Sequence, residues 1–169
     1  MAVPVLPDVL APGLDVIFCG SAVSTASARA GAYYAGPGNK FWQTLEAVRL
    51  TPFALAPEDY PTVLTHGLGL TDLNKRQAGA DRGLDPARDD AEALRRKVRR
   101  LRPRVLAFVG KGAAAGFYFG ERKKTGKLSY GRQPADLGPT AMFVLPSPSG
   151  AARRWWDKGP WRALADFVR

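Results

Sequence analysis

The chain has 169 residues, the size of one domain able to bury a substantial core. Its 25 Lys and Arg stand against 15 Asp and Glu, and the resulting charge of +10 favours nucleic acid, an anionic membrane or an acidic partner. One cysteine and one histidine exclude a disulfide framework, a four-cysteine iron–sulfur cluster and a His-rich metal site, so no metal or redox cofactor is expected.

The opening MAVPVLPDVLAPG has three prolines and no basic run, unlike a secretory signal. No uncharged apolar run approaches the roughly 18 residues of a membrane span. The expectation is a cytoplasmic, monomeric, single-domain protein. Leu14 to Cys19 (LDVIFC) reads as a buried strand bounded by Gly13 and Gly20. A loop rich in Gly, Ala and Ser runs to Gly38 and passes Tyr33 and Tyr34. Asn39 then opens a helix with Phe41, Trp42, Leu45 and Val48 at helical spacing. Glu58 to Leu64 reads as another helix. The lone histidine, His66, suits a helix end better than catalysis, because no partner motif surrounds it. Gly67 to Leu73 is a short apolar segment leading into a polar loop.

Asp85 to Arg102 reads as one helix, with Asp85 as its cap, Pro86 at its first position and Pro103 as its stop. Val105 to Val109 is a second strand, Gly110 to Tyr118 turns into a helix, Ala141 to Leu145 is a third strand, and Trp155 to Val168 is a last amphipathic helix. Strands alternating with helices predict an α/β three-layer sandwich with a mainly parallel central sheet. Sites in such sheets lie outside the carboxyl ends of the strands. Two loops leave strands at that end: an aromatic one, Phe18 to Trp42, and a basic one, Leu145 to Trp156. Together they suit a cleft that holds a flat ring beside a polyanion, as in enzymes that act on a nucleic-acid base.

Five segments add a family likeness. VIFCG (Val16 to Gly20), GPGNKFW (Gly36 to Trp42), GLTD (Gly69 to Asp72), AFVGK (Ala107 to Lys111) and LPSPSG (Leu145 to Gly150) occur in the order found in mismatch-specific uracil and thymine DNA glycosylases. The chain resembles that branch of the uracil-DNA glycosylase superfamily over most of its length. The first motif departs from the family pattern. Gly20-Ser21-Ala22-Val23-Ser24 puts Ala22 where the family carries the asparagine that holds the attacking water, and a methyl group neither donates nor accepts a hydrogen bond. Ser147 stands where related branches use a histidine.

The resemblance implies a DNA glycosylase that flips uracil, or another deaminated or modified base, out of DNA for base excision repair, with no cofactor. Tyr34 aligns with the family's stacking aromatic; Tyr33 is equally readable as core. Asp72 falls where the family places a polar residue facing the base, and it is the candidate to replace the missing asparagine; a solvated loop carboxylate or a helix cap is its plainer reading. Asn74 is its reserve. Ser24, with Ser21 and Thr25, could hold a water by its hydroxyl. Main-chain amides after Gly20 could hold the departing base. Asn39 could touch the base or merely cap its helix.

For DNA contact, the resemblance implies Ser149 and Gly150 at a phosphate near the flipped nucleotide, Arg153 filling the vacated space, and Arg154 and Lys158 on phosphates. Lys111 is a further phosphate candidate. The run from Arg95 to Arg100 reads as a solvated helix face. Ala22 and Ser147 also motivate an alternative, a catalytically weak protein that binds damaged or mismatched DNA. An α/β enzyme acting on a phosphorylated small molecule is a third reading, although no Walker motif is present.

Overall fold

Strands β1 (Val16–Gly20), β2 (Leu68–Asp72), β3 (Val105–Val109), β4 (Gly131–Arg132) and β5 (Ala141–Leu145) form one sheet in the order β2-β1-β3-β5-β4. This computed structural model describes residues 4–169; the first three residues of the proline-bearing opening lie outside them. The first four strands of that order run parallel, and only the two-residue β4 is antiparallel, along the β5 edge. Each long strand is buried along its whole length, as a sheet covered on both faces requires.

The two-residue period of the strands sorts side chains between two cores. Val16, Phe18, Val105, Ala107 and Phe143 pack against α2 (Phe41–Ala47) and α5 (Gly159–Val168), where Trp161 is fully buried. Ile17, Cys19, Leu106, Phe108 and Val144 face α3 (Ala91–Leu101) and α4 (Lys111–Phe119). The result is the three-layer α/β sandwich that the alternation of elements predicts. Burying each of these large side chains stabilises the fold by about 1.5–3 kcal/mol.

Parallel pairing brings the ends of four strands to one edge. Gly20 of β1 is paired with Asp72 of β2, and Val109 of β3 with Leu145 of β5. From β1 the chain turns to β2 on one side, whereas β3 connects onward to β5 on the other. The crevice outside the carboxyl ends of β1 and β3 is therefore a topological switch point, where open α/β sheets place their ligands.

Several local expectations are corrected. Gly67 to Leu73 contains a full strand, β2; it is an edge strand on the sheet, and the main chain of Val9 bridges it at Leu70. The expected helix from Asp85 is two pieces. Asp85 caps only a single 3-10 turn at Pro86–Arg88, and Asp90 caps the real helix at Ala91 by accepting from the Ala93 amide at 2.8 Å. Two acceptable caps five residues apart compete, and the second wins because Leu94, Val98 and Leu101 then face the core. The helix expected over Glu58 to Leu64 is a 3-10 segment, Pro57–His66, with His66 at its end. The last helix begins at Gly159, after a separate 3-10 turn over Gly150–Trp155. A short helix, α1 (Thr25–Ala30), lies inside what the sequence presents as loop.

Candidate active site

The two strand-end loops are stitched together. The Lys40 amide donates to the Pro148 carbonyl at 2.9 Å, and Gly150 packs so tightly on the opposite loop that a Cβ there would lie 3.1 Å from the Pro37 carbonyl oxygen. The small residues of both loops permit this approach. Between them, and outside the ends of β1 and β3, opens a cleft of about 860 Å³.

Most of the residues singled out in the sequence line this cleft. Gly20, Ser21, Ala22, Ser24, Tyr34, Asn39, Asp72, Lys111 and Ser149 all do, together with Ser147. Gly150, Arg153 and Arg154 do not line it. They belong to the adjacent 3-10 turn, where both arginines are exposed to solvent. Asn74 is buried and turned away into local structure, its Oδ1 accepting the Arg76 and Gln77 amides.

Asp72 is the last residue of β2 and is 6% exposed. A Cβ on Gly20 would lie 3.1 Å from Asp72 Oδ1 and 3.5 Å from the Tyr34 hydroxyl, so both polar groups crowd the same glycine at the cleft floor. The other carboxylate oxygen, Oδ2, is 3.4 Å from Lys75 Nζ. Burial pushes the Asp72 carboxyl up to about 6, against the pull of Lys75. Among the described residues, Asp72 alone also lines a second cavity of about 370 Å³ behind it, shared with Asp8, Lys75 and Lys97.

Lys75 is the hub of that rear side. Its ammonium donates to the Tyr33 hydroxyl at 2.9 Å and pairs with Asp8 at 2.9 Å. Asp8 also takes Lys97 at 2.6 Å and the Thr71 hydroxyl at 2.7 Å. Burial works to raise the Asp8 carboxyl, but these donors outweigh it and hold it below the usual range. Tyr33 gives its own proton to the Pro7 carbonyl at 3.0 Å and is 1% exposed, so it packs in the core while also lining the cleft beside Tyr34.

Tyr34 is built differently. Its backbone is left-handed (φ 52°), uncommon for a residue with a side chain, and its ring stacks on Phe41 with centroids 3.8 Å apart. The Trp42 indole N–H fixes the preceding carbonyl of Tyr33 at 3.1 Å. The Tyr34 hydroxyl is buried and has no hydrogen-bond partner among the described residues. Burial, with the nearby Asp72 carboxylate, pushes its proton affinity far up, so it stands there as a neutral phenol with an unspent donor.

Three other candidates are tied to local structure. Ser24 caps α1: its Oγ accepts the Ser27 amide and donates to Ser27 Oγ, both at 3.0 Å. Its one proton is therefore already spent. Asn39 Oδ1 accepts the Phe41 amide at 2.9 Å, which anchors the start of α2, while the residue still faces the cleft. Ser149 Oγ accepts the Ala151 amide at 3.3 Å and caps the basic turn. The Lys111 ammonium lies 4.5 Å from the Tyr130 ring centre at the cleft rim.

The family model described as the Uracil DNA glycosylase superfamily matches residues 7–167, nearly the whole chain. The chain belongs to the uracil DNA glycosylase superfamily. It is also similar to the solution NMR structure of a protein from Methanosarcina acetivorans provisionally named a uracil DNA glycosylase, at 25% identity and a TM-score of 0.66, with 96% of each chain covered. This likeness agrees with the mostly parallel sheet flanked by helices.

Within this superfamily member, sequence reasoning missed Lys75, Asp8, Tyr130 and Trp155. The spacing of Asp72 and Lys75, three apart at a strand end, was the one available signal for Lys75. Asp8 reaches the site through a bridge from an N-terminal segment that carries no local pattern. Trp155 is the exposed member of an adjacent tryptophan pair, whereas Trp156 packs on Trp161.

Proposed function

We propose that the protein is a monofunctional DNA glycosylase that hydrolyses the N-glycosidic bond of uracil in DNA, and that it belongs to the mismatch-specific branch with an altered first motif. The observation that carries the reading is the meeting of Asp72 Oδ1, the Tyr34 hydroxyl and the Gly20 backbone at one end of a cleft large enough for a flipped nucleotide. The five family-like segments all contribute to the walls or supports of that cleft.

In this reading the base stacks on the face of Tyr34 not covered by Phe41, worth about 1–3 kcal/mol. The Tyr34 phenol, buried and otherwise unpartnered, stays beside Asp72 at the cleft floor. As the C1′–N bond breaks, its electron pair leaves with the base, and main-chain amides after Gly20 stabilise the resulting anion. The ionised Asp72 carboxylate steadies the cationic sugar and accepts the proton of the water whose oxygen bonds to C1′. Asp72 thus does the work of the asparagine missing at Ala22, from a neighbouring strand. Ser149 and Gly150 shape the turn against the DNA backbone, Lys111 meets a phosphate, and Arg153 enters the gap left by the flipped base.

Incubation with uracil-containing duplex, followed by alkaline cleavage at abasic sites, tests this directly. Strand scission by the wild type, lost in Asp72→Asn, is the expected result. Ala22 and the occupied hydroxyl of Ser24 favour one second reading, a damage-binding protein with feeble catalysis; it requires binding to the same duplex with no scission above the Asp72→Asn background.

A further inference from the structure

The cleft is larger than one base needs, and its outer part holds two aromatic residues that the proposed chemistry does not use. A volume near 860 Å³ lies toward the upper end for sites that enclose a whole drug-sized ligand, whereas a pyrimidine ring is much smaller. Burial grades outward along its wall. Asp72 at the floor is 6% exposed, while Tyr130 is 37% and Trp155 is 63% exposed. Trp155 is the anomaly: of the other tryptophans, Trp42 and Trp161 are buried at 6% and 0%, and Trp156 packs against the core. Leaving an indole in water forfeits roughly the burial energy that makes tryptophan valuable inside proteins.

Each rim aromatic has its own cation. The Arg154 guanidinium lies 5.0 Å from the Trp155 ring centre, and the Lys111 ammonium 4.5 Å from that of Tyr130. A ring with one face toward a cation and the other toward solvent matches the two halves of a nucleotide: the base stacks and the phosphate meets the charge. Such units tolerate any sequence, because every base has a π face. They demand one thing, that the base be unpaired and unstacked. Neighbours of a flipped nucleotide within intact duplex remain paired and stacked on their far side, so they are not free to swing onto a ring.

We propose that this rim is a second nucleotide-binding surface, built on Trp155 and Tyr130, for unpaired bases flanking the one in the cleft, and that single-stranded DNA is the preferred form of the substrate, a departure from the mismatched duplex that kinship to the mismatch-specific branch implies. The choice of substrate form rests on the glycosylase reading; the binding surface does not. The net charge of +10 and the exposed Arg153 beside the platform suit a polyanionic strand that continues past the cleft.

Titration with a lesion-free oligothymidylate, and with the same strand paired to its complement, tests the surface through tryptophan emission. Trp155 is the indole most open to a stacking base, so single strand should quench the wild type and leave Trp155→Ala unquenched. Trp155→Ala should lower the ratio of single-strand to duplex affinity roughly 5- to 150-fold, the range of one lost stack, and Tyr130→Ala should lower it in the same direction. Trp155→Phe should retain most of the ratio, which guards against a misfolded variant. Equal losses on both DNA forms would show that Trp155 contacts DNA without regard to pairing and overturn the proposal, as would unchanged affinities or tighter binding of duplex by the wild type. Uracil excision, scored separately, separates the two readings: single-strand binding without excision would sink the glycosylase assignment and spare the platform.

Discussion

Lys75 stands between two carboxylates, 2.9 Å from Asp8 and 3.4 Å from Asp72, and the two respond to it in opposite ways. Asp8 has three donors and stays below the ordinary range, whereas Asp72 shares the ammonium, is more deeply buried and is pushed up to about 6. The difference follows from donor count against desolvation. It leaves the carboxylate nearest the cleft as the one closest to neutral.

The first prediction concerns the sign of that shift. A carboxyl at about 6 in the fold and 3.8 unfolded binds more protons when folded between those values, so stability falls as pH rises through that window. Above it the ionised Asp72 costs up to about 3 kcal/mol. Asp72→Asn should therefore resist urea better than wild type at pH well above 6, and the gain should vanish well below 3.8. Excision should move the other way, rising in the wild type as Asp72 ionises near pH 6 and lost in the variant. Urea midpoints and single-turnover rates across pH read both. A variant less stable at high pH would show that Asp72 is held by contacts stronger than its burial cost.

The second concerns Lys75 as a positioning residue. Lys75→Met removes the cation that favours the ionised carboxylate, so the acid limb of the excision profile should shift to higher pH, with activity partly recovering in alkali. Lys75→Arg keeps the charge and should restore most of the limb. A purely structural role would lower excision equally at every pH and leave the limb in place.

Gly20→Ala isolates geometry from charge. The backbone of β1 accepts alanine, so the loss to the fold should stay within the roughly 1–3 kcal/mol of a modest overpacking. The new methyl would sit 3.1 Å from Asp72 Oδ1 and 3.5 Å from the Tyr34 hydroxyl, displacing the carboxylate by a few tenths of an ångström. A misplacement of that kind costs on the order of tenfold in rate. Thermal unfolding and excision measured together separate the two effects, and an unaffected rate would mean that Asp72 Oδ1 has no part in the reaction.

Strand positions were legible in the sequence because buried parallel strands write short apolar runs bounded by glycine. Val105 to Val109 and Ala141 to Leu145 match their predicted bounds. The segment from Gly67 to Leu73 did not announce β2, since its two glycines and terminal Thr71-Asp72 resemble loop. At the site, residues within a motif could be found and contacts between distant segments could not. Tyr34 and Asp72 were recognisable by place, and they line the same cleft. The hydroxyl of Ser24 looked free because the Ala-Ser-rich stretch hid α1, whose first turn consumes it. Trp155 was obscured by the expectation of a continuous helix through Val168, which would have turned one face of that turn inward.

The last prediction concerns Arg153 and Arg154, which are exposed on the turn that follows Ser149 and do not line the cleft. If both meet phosphates or the groove of duplex DNA, each change to alanine should weaken binding and reduce the slope of log affinity against log salt by about 0.9. The pair should differ in one respect. Arg153 has no aromatic contact among the described residues, whereas Arg154 lies on Trp155. Arg154→Ala should therefore also disturb tryptophan quenching by single strands, while Arg153→Ala should leave it intact and depress duplex excision more. Salt titrations of duplex and single-strand affinity for both variants provide the measurement. Slopes equal to wild type would remove this turn from the DNA surface and shift the basic contact to Lys111.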